Sequence, residues 1–142
     1  IYKIRLCCIF IDMMIIITEN QLSTLVTGDI PKGLLNQMFG KVFKYFTVTN
    51  DGGYVHWVKD GNNESSFGKN KWGNFFVHSE YCDDWYELRR IKRILGLSRK
   101  DFEEYLMTYL NETFSDYFTG GNLVKGIKDE QCNLPYRHDR FD

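Results

Sequence analysis

The 142-residue chain contains no alanine, and this absence limits how its helices can pack. Close approach of two helices must then depend on glycine or serine. Aromatic residues are abundant instead, with eleven Phe, nine Tyr and three Trp, or 16% of the chain. Large rings bury much apolar area and pack well on the face of a sheet. We therefore expect a core of aromatic side chains packed against a β-sheet.

The N-terminal part of the sequence predicts a strand followed by two short helices. Met14–Ile17 is an apolar, β-branched run typical of a buried strand. Thr18 is a suitable N-cap for the first helix, which should end at Gly28. Pro31 marks the first turn of the second helix. The apolar stripe of the second helix is Leu34, Leu35, Met38 and Phe39.

A strand pattern follows from residue 42 onward. Residues 42–49 predict one strand, and Tyr54–Lys59 alternates as the next strand after the turn signal at Asn50–Gly53. Asp60–Lys71 is polar and rich in Gly and Asn, which predicts a loop. Trp72–Ser79 predicts a third strand.

The second half of the sequence is helical. Asp83–Leu95 predicts one helix, which Gly96 ends. Ser98 predicts the N-cap of a second, longer helix, with Asp101 completing a capping box and Gly120 at its end.

Because strands and helices are segregated, the sequence predicts the α+β class. We expect a three- to four-stranded antiparallel meander packed against the two longer C-terminal helices and the two short N-terminal helices. Residues 14–130 should form a single α+β domain, and residues 131–142 a C-terminal arm. Residues 1–13 are interpreted as an N-terminal extension, either a native strand or residues upstream of a start at Met13 or Met14.

Charge and hydropathy exclude several classes of protein. With 43% hydrophobic and 26% charged residues the chain should fold, and a net charge of −1 argues against non-specific binding of nucleic acid. The apolar run from Leu6 to Ile17 contains Asp12, is too short to cross a bilayer, and has no small-residue cleavage site after it. We expect an intracellular protein without a membrane partner.

Cysteines occur at Cys7, Cys8, Cys82 and Cys132. The adjacent pair cannot easily bond to each other, and no CxxC pair occurs. We therefore expect free, buried thiols in a reducing compartment, with a disulfide framework or a zinc site as the alternatives.

One group of residues has the chemistry of a metal or acid–base site. His78, Glu80 and Cys82 are two residues apart, so they share a face if the third strand extends that far, and His56 lies on the neighbouring strand. Imidazole, carboxylate and thiolate are plausible zinc ligands. The spacing matches no established metal motif, however, so these residues are more simply polar groups at the end of a strand. We expect no cofactor and assign no catalytic residue.

A basic segment is the candidate nucleic-acid site. No acidic residue occurs between Leu88 and Lys100, and the segment resembles a helix-turn-helix with its turn at Leu95–Ser98. Its basic residues are Arg89, Arg90, Lys92, Arg93, Arg99 and Lys100. The alternative is a solvated helix end, because basic side chains are favoured at the negative end of the helix dipole.

Candidate partner-binding residues are aromatic or are arginines. Trp57 and Trp72 are the rings most suited to face outward from the predicted strands. The C-terminal arm carries a mixture typical of interfaces, Tyr136, Arg137, Arg140 and Phe141. The alternatives are a core position for the rings and a frayed terminus for the arm.

The stretch Met14–Leu22, Met-Ile-Ile-Ile-Thr-Glu-Asn-Gln-Leu, resembles the opening of many small proteins of T4-like and other tailed bacteriophages. Those proteins often begin with an apolar strand followed by Thr-Glu-x-Gln-Leu. The resemblance implies a phage source, and with it a location in the host cytoplasm or the virion. It transfers no catalytic residue.

The expected function is that of a non-enzymatic assembly or adaptor protein, which acts through protein partners or self-association. This interpretation depends on the near-neutral charge, the aromatic arm and the lack of a catalytic motif in the sequence. A nucleic-acid-binding module that uses residues 89–100 and a small metal-dependent enzyme are the alternative hypotheses.

Overall fold

The computed structural model describes residues 30–61 and 64–132 of the chain. This part has the α+β architecture, with three helices and one five-stranded sheet. In chain order the elements are α1 (Lys32–Phe43), β1 (Phe46–Asp51), β2 (Tyr54–Lys59), β3 (Ser65–Lys69), β4 (Asn74–Val77), α2 (Cys82–Leu95), α3 (Arg99–Phe114) and β5 (Gly126–Lys128). The predicted strand at Met14–Ile17, the helix capped by Thr18 and the arm from residue 133 lie outside the described residues.

The sheet differs from the predicted antiparallel meander. Its strand order is β1-β2-β3-β4-β5, and the first four strands pair antiparallel. The prediction of a loop over Asp60–Lys71 is wrong, because Ser65–Lys69 forms β3 and pairs with strands on both sides. Strand β5, which the sequence did not predict, pairs parallel with β4. A parallel neighbour requires a long crossover. Helices α2 and α3 lie in this connection, so the sheet is mixed and has five strands.

One face of the sheet carries the aromatic core. The register places Trp57 opposite Phe67, which lies opposite Val77, and it places Val55 and Phe75 on either side of Lys69. Trp57, Phe67 and Phe75 are all fully buried, and the Phe75 ring lies 5.2 Å from Trp57 and 5.3 Å from Phe67. The expected packing of large rings on a sheet is therefore confirmed.

The opposite face carries a row of residues that runs across the sheet. His56 pairs with Gly68, and Gly68 pairs with Phe76. The Phe76 ring lies so close to Gly68 that a Cβ atom built there would stand 2.4 Å from the ring Cζ. The φ of Gly68 is not in the left-handed region, so the ring beside it, and not the backbone conformation, favours glycine at residue 68.

Helix α1 covers part of the core face. Its predicted apolar stripe, Leu34, Leu35, Met38 and Phe39, is fully or almost fully buried. The helix continues to Phe43, so the strand predicted from residue 42 begins later, at Phe46. The Phe43 ring extends the aromatic cluster, 5.7 Å from the ring of Phe67.

Helices α2 and α3 are connected as the sequence predicted. Gly96 ends α2 in the left-handed conformation, with φ of 65°. The Asp101 N–H donates to Ser98 Oγ at 3.1 Å, which confirms the predicted N-cap of α3. Helix α3 ends at Phe114 rather than near Gly120, and two short 3₁₀ turns follow, Ser115–Tyr117 and Thr119–Gly121.

The expectation of free thiols is wrong for two of the four cysteines. Cys82 at the start of α2 forms a disulfide with Cys132, which follows 50 residues later, with 5.5 Å between the Cα atoms. The return of the chain through β5 brings the two residues together, a relation that cysteine spacing alone does not reveal. Tyr86 reinforces the junction, since its hydroxyl donates to the Cys132 carbonyl at 2.8 Å.

Within the described ranges, no helix combines the length and the apolar character needed to cross a bilayer.

Candidate partner-binding surface

The turn between β3 and β4 is held by its first residue. Asn70 Oδ1 accepts the backbone N–H groups of Trp72 and Asn74, each at 3.0 Å. The Asn70 N–H donates in turn to the Asn74 carbonyl at 3.0 Å. An asparagine side chain that accepts bonds from nearby N–H groups fixes the path of a turn. The backbone at Trp72 is therefore rigidly placed.

The segment that leads into β5 supports the same turn from outside. The Lys125 N–H donates to the Gly73 carbonyl at 2.7 Å, and the Asn122 side-chain amide donates to the Lys71 carbonyl. Gly73 has φ of 91°, and a Cβ atom there would stand 2.9 Å from the Leu123 carbonyl oxygen. The close packing of turn and segment therefore requires glycine at residue 73.

The turn presents the most exposed large ring among the described residues. Trp72 is 64% exposed, whereas the other two tryptophans, Trp57 and Trp85, are 0% and 1% exposed. Leu123, on the supporting segment, is 42% exposed. Lys71 Nζ lies 5.1 Å from the centroid of the Trp72 ring. An exposed tryptophan on a rigid support is the typical anchor of a protein interface.

We call Lys71, Trp72, Leu123 and Lys125 the Trp72 surface. Its two lysines are exposed, and no carboxylate within residues 30–61 and 64–132 forms an ion pair with either of them. A third ammonium group, that of Lys69, lies next to this surface but is buried. Lys69 is only 1% exposed, and its Nζ is 4.7 Å from the Phe118 ring centroid and 3.3 Å from the Asn70 carbonyl. Burial lowers the pKa of Lys69, and the charge of Lys125 lowers it further.

The predicted partner-binding residues have different outcomes in the structure. The prediction that Trp57 faces outward is wrong, because its strand turns that ring into the core between Phe75 and Phe114. Trp72 is exposed as expected. The arm residues Tyr136, Arg137, Arg140 and Phe141 lie outside the described residues.

The predicted metal ligands do not form one cluster. His56 and the half-buried His78 lie on the outer face of the sheet, and the His78 ring contacts Phe76 at 5.2 Å between centroids. Glu80 is exposed in a 3₁₀ turn, whereas the Cys82 sulfur is buried in its disulfide and is no longer a free thiolate. In the part of the chain that the structure describes, no three His, Cys, Asp or Glu side chains are placed to hold a metal ion.

The environment of His78 perturbs its imidazole. Burial lowers its pKa from the ordinary value, the nearby His56 lowers it further, and Glu80 partly opposes both effects. Its Nε2 atom is buried and has no hydrogen-bond partner among the described residues. The neutral ring is therefore favoured in the folded protein.

The predicted basic segment lies at the end of α2 and the start of α3. Three of its residues, Arg89, Lys92 and Arg99, line a small cavity of about 30 Å³. Arg99 is bound within the protein, since its guanidinium donates to Glu103 at 3.0 Å and to Asp129 at 2.8 Å. The hydrogen bond with Glu103, followed by the charge of Asp129, raises the pKa of Arg99.

Other basic residues of the segment are engaged within the protein or lie beside acidic side chains. Arg89 and Arg90 each have an interaction partner within the protein. Lys100 is exposed at the start of α3 beside the exposed Asp101 and Glu104. Acidic side chains next to a lysine oppose contact with phosphate.

Sequence reasoning missed Lys71, Leu123 and Lys125. The signal for the turn was present, since asparagine at the first position and glycine at the fourth position of Asn70-Lys71-Trp72-Gly73 are typical of a tight turn. The support from the segment before β5 joins residues about fifty positions apart, and no local pattern records it. Comparisons of the chain with protein-family models, with curated proteins and with solved structures found no match.

Proposed function

We propose that this protein is a non-enzymatic adaptor or assembly protein that acts through protein–protein contacts, with Trp72 as its central contact residue. The observation that carries the proposal is the 64% exposure of Trp72 on a turn fixed from two sides. A rigid aromatic side chain loses little conformational entropy when a partner covers it. Exposed tryptophans in such positions commonly supply a large share of binding energy.

The C-terminal arm is a second contact element in this proposal. Its attachment point is fixed, because Cys132 is bonded to Cys82 and its carbonyl accepts the Tyr86 hydroxyl. The arm's arginines and aromatic residues are of the types enriched at interfaces. Deleting residues 133–142, which leaves the disulfide in place, should lower the oligomeric mass or weaken partner binding. If the deletion changes neither the oligomeric mass nor partner binding, the arm is not a contact element and Trp72 alone remains in the proposal.

We further propose that the source is a tailed bacteriophage and that the protein works in the host cytoplasm or in the virion. Of these two locations the Cys82–Cys132 disulfide supports the virion, because disulfides are rare in a reducing cytoplasm. The resemblance of Met14–Leu22 to the opening of phage proteins supports this source. Mass spectrometry of purified virions and of infected cells would test it.

The alternative functions have weaker support. The paired state of Arg99 and the neighbouring acidic residues of α3 weaken the case for a nucleic-acid site at residues 89–100. The disulfide of Cys82 removes one of the four candidate ligands of the alternative zinc site.

Site-specific photo-crosslinking in the source cells tests the main proposal, with the photoreactive residue at position 72 or 45. Tyr45 is a matched control because it is 54% exposed and has a lysine, Lys44, with its Nζ 4.9 Å from the ring centroid. It lies at the start of β1, the opposite end of the β1–β2 hairpin from the Trp72 surface.

A covalent adduct of one defined mass at position 72, and not at position 45, is expected. Once that partner is purified, W72A should weaken its binding about 30-fold, the effect of losing a contact residue worth about 2 kcal/mol. Y45A should leave the affinity unchanged. No adduct at position 72, or equal effects at both positions, would contradict the proposal.

A further inference from the structure

We infer that the partner segment that binds the Trp72 surface is an acidic peptide, with Asp or Glu beside an apolar side chain. This inference rests on the proposed function and adds the chemistry of the partner to it. The ring of Trp72 and the side chain of Leu123 would contact the apolar residue. Lys71 and Lys125 would bind the carboxylates.

The geometry places one lysine beside the exposed ring and the other against the turn that carries the ring. Lys71 Nζ lies 5.1 Å from the centroid of the Trp72 ring. The Cγ and Cδ atoms of Lys125 would stand 3.3 Å from a Cβ atom at Gly73, so its stem lies along the turn that carries Trp72. The exposed ring therefore has the Lys71 ammonium group close to it, and the stem of Lys125 packs against the next residue of the same turn.

Lys71 and Lys125 differ in their charge partners from two other lysines of the protein. Lys32 pairs with Glu112 at 2.7 Å, and Lys59 pairs with the largely buried Asp84 at 2.8 Å. Across residues 30–61 and 64–132, by contrast, Lys71 and Lys125 have no carboxylate partner. Surfaces that meet in a complex are arranged with opposite charge, so an unbalanced positive patch favours an acidic partner.

Lys69 supplies an independent indication of this charge imbalance. It is 1% exposed, and within the described residues its Nζ contacts the Asn70 carbonyl at 3.3 Å and the Phe118 ring at 4.7 Å from the centroid. The charge of Lys125 reaches it and disfavours its protonated form. An incoming carboxylate would relieve this repulsion between neighbouring ammonium groups.

Single-stranded nucleic acid is the main competing occupant, because a base could stack on Trp72 and lysines could contact phosphates. We favour a peptide because the segment packed against the turn exposes an apolar side chain, Leu123, and because the net charge of −1 gives no long-range attraction for a polyanion. An oligonucleotide is therefore included as a probe in the experiment.

In the experiment, the full chain is the bait that selects binders from a displayed library of random short peptides. Three variants are run in parallel: W72A, the charge reversal K71E/K125E, and a control charge reversal K44E/K41E at the C-terminal end of α1. The strongest selected peptide is then synthesised, together with a version in which Gln replaces each Asp and Glu. Because Trp57 and Trp85 are buried, iodide quenching of tryptophan fluorescence reports mainly on Trp72.

Peptides selected by the wild-type chain should be enriched in Asp and Glu beside an apolar residue. The synthetic peptide should protect Trp72 from iodide, and it should bind roughly tenfold more weakly to K71E/K125E or when its carboxylates are replaced by Gln. K44E/K41E should behave as the wild type. Circular dichroism of each variant verifies that the fold is retained.

Selection without acidic enrichment, no selection at all, or equal binding by K71E/K125E would overturn the inference. Stronger protection of Trp72 by an oligonucleotide than by the acidic peptide would assign the surface to nucleic acid instead. If Trp72 is protected from iodide without any ligand, and more so at higher protein concentration, the Trp72 surface binds a second copy of the chain instead. A specific crosslink at position 72 to a partner without acidic segments would refute this inference alone and leave the proposed function standing.

Discussion

The indole Nε1 of Trp85 donates a hydrogen bond to the carboxylate of Asp129 at 3.1 Å, which ties α2 to the residue that follows β5. The other carboxylate oxygen accepts the Arg99 guanidinium at 2.8 Å. Asp129 is only 4% exposed and Trp85 1% exposed. One buried carboxylate therefore connects the edge strand to both C-terminal helices.

Replacing Asp129 with Ala should lower the free energy of unfolding by about 2–4 kcal/mol. The change leaves a buried indole N–H without an acceptor and removes the buried partner of Arg99. Urea denaturation followed by tryptophan fluorescence would measure the loss. E103A is the control, because it removes only the other carboxylate partner of Arg99. An equal, small loss in both variants would show that Asp129 has no special role.

The contact between Gly68 and Phe76 predicts a size limit at residue 68. G68A should cost about 1–3 kcal/mol, because the new methyl group would displace the ring that now lies over the glycine. In the F76A background the same change should cost much less. G33A is a suitable control, since a Cβ atom at Gly33 in α1 meets nothing within 4 Å and alanine favours a helix by about 1 kcal/mol. If G68A lowers the free energy of unfolding as much in the F76A background as in the wild type, the Phe76 ring does not limit the size of residue 68.

The lowered pKa of His78 predicts a loss of stability at mildly acidic pH. The folded protein binds a proton at His78 less readily than the unfolded chain, whose imidazole has the ordinary pKa of 6.5. Between the folded pKa and 6.5 the unfolded state therefore holds more protons, so stability falls as the pH is lowered through this range. Well above pH 6.5 His78 is neutral in both the folded and the unfolded state, so it adds no pH dependence to the stability.

Urea denaturation of the wild type and of H78Q, at a series of pH values from 8 downward, would measure this effect. The wild type should lose more stability than H78Q below pH 6.5. H56Q should show an intermediate loss, because it removes the repulsion from the second imidazole and leaves the burial of His78. Parallel curves for the wild type and H78Q would refute the prediction.

Removal of the disulfide should lower the free energy of unfolding by about 4 kcal/mol, the chain-entropy value for a bridge that closes a loop of some 50 residues. Dithiothreitol should destabilise the wild type, whereas C82S/C132S should already be destabilised and should no longer respond to the reductant. Peptide mapping without reduction should yield a fragment that links the two cysteines. Separate Cys82 and Cys132 peptides under those conditions would contradict the bond.

Local signals in the sequence predicted much of the fold. The stripe of α1, the Asn50–Gly53 turn, the glycine that ends α2 and the Ser98 cap each depend on residues within a few positions of one another. Such patterns act through backbone conformation and helix periodicity, which a single sequence records.

Strands β3 and β5 were not predicted because pairing with adjacent strands stabilises them, and their own residues show no strand pattern. Ser65–Lys69 lies in a polar, Gly-rich stretch with Phe67 as its single large apolar residue, yet it pairs on both sides. Its alternation is hidden because Gly68 faces the Phe76 ring and Lys69 faces the core. Gly126–Lys128 is held by parallel pairing with β4, a long-range contact that no local pattern contains.

The candidate site was predicted only in part for the same reason. Trp72 was selected from its residue type, whereas the wrong orientation of Trp57 followed from not knowing which face of β2 met the helices. The lysines beside Trp72 become neighbours only once the segment before β5 is placed against the turn.

The bond between Cys82 and Cys132 closes the chain from α2 to the end of the described residues into a covalent ring. The segment that supports the Trp72 turn lies inside this ring, and the turn itself lies outside it. A single peptide-bond cleavage between the two cysteines would therefore open the ring without dividing the molecule. The support of the binding surface would remain attached to the sheet even after such damage.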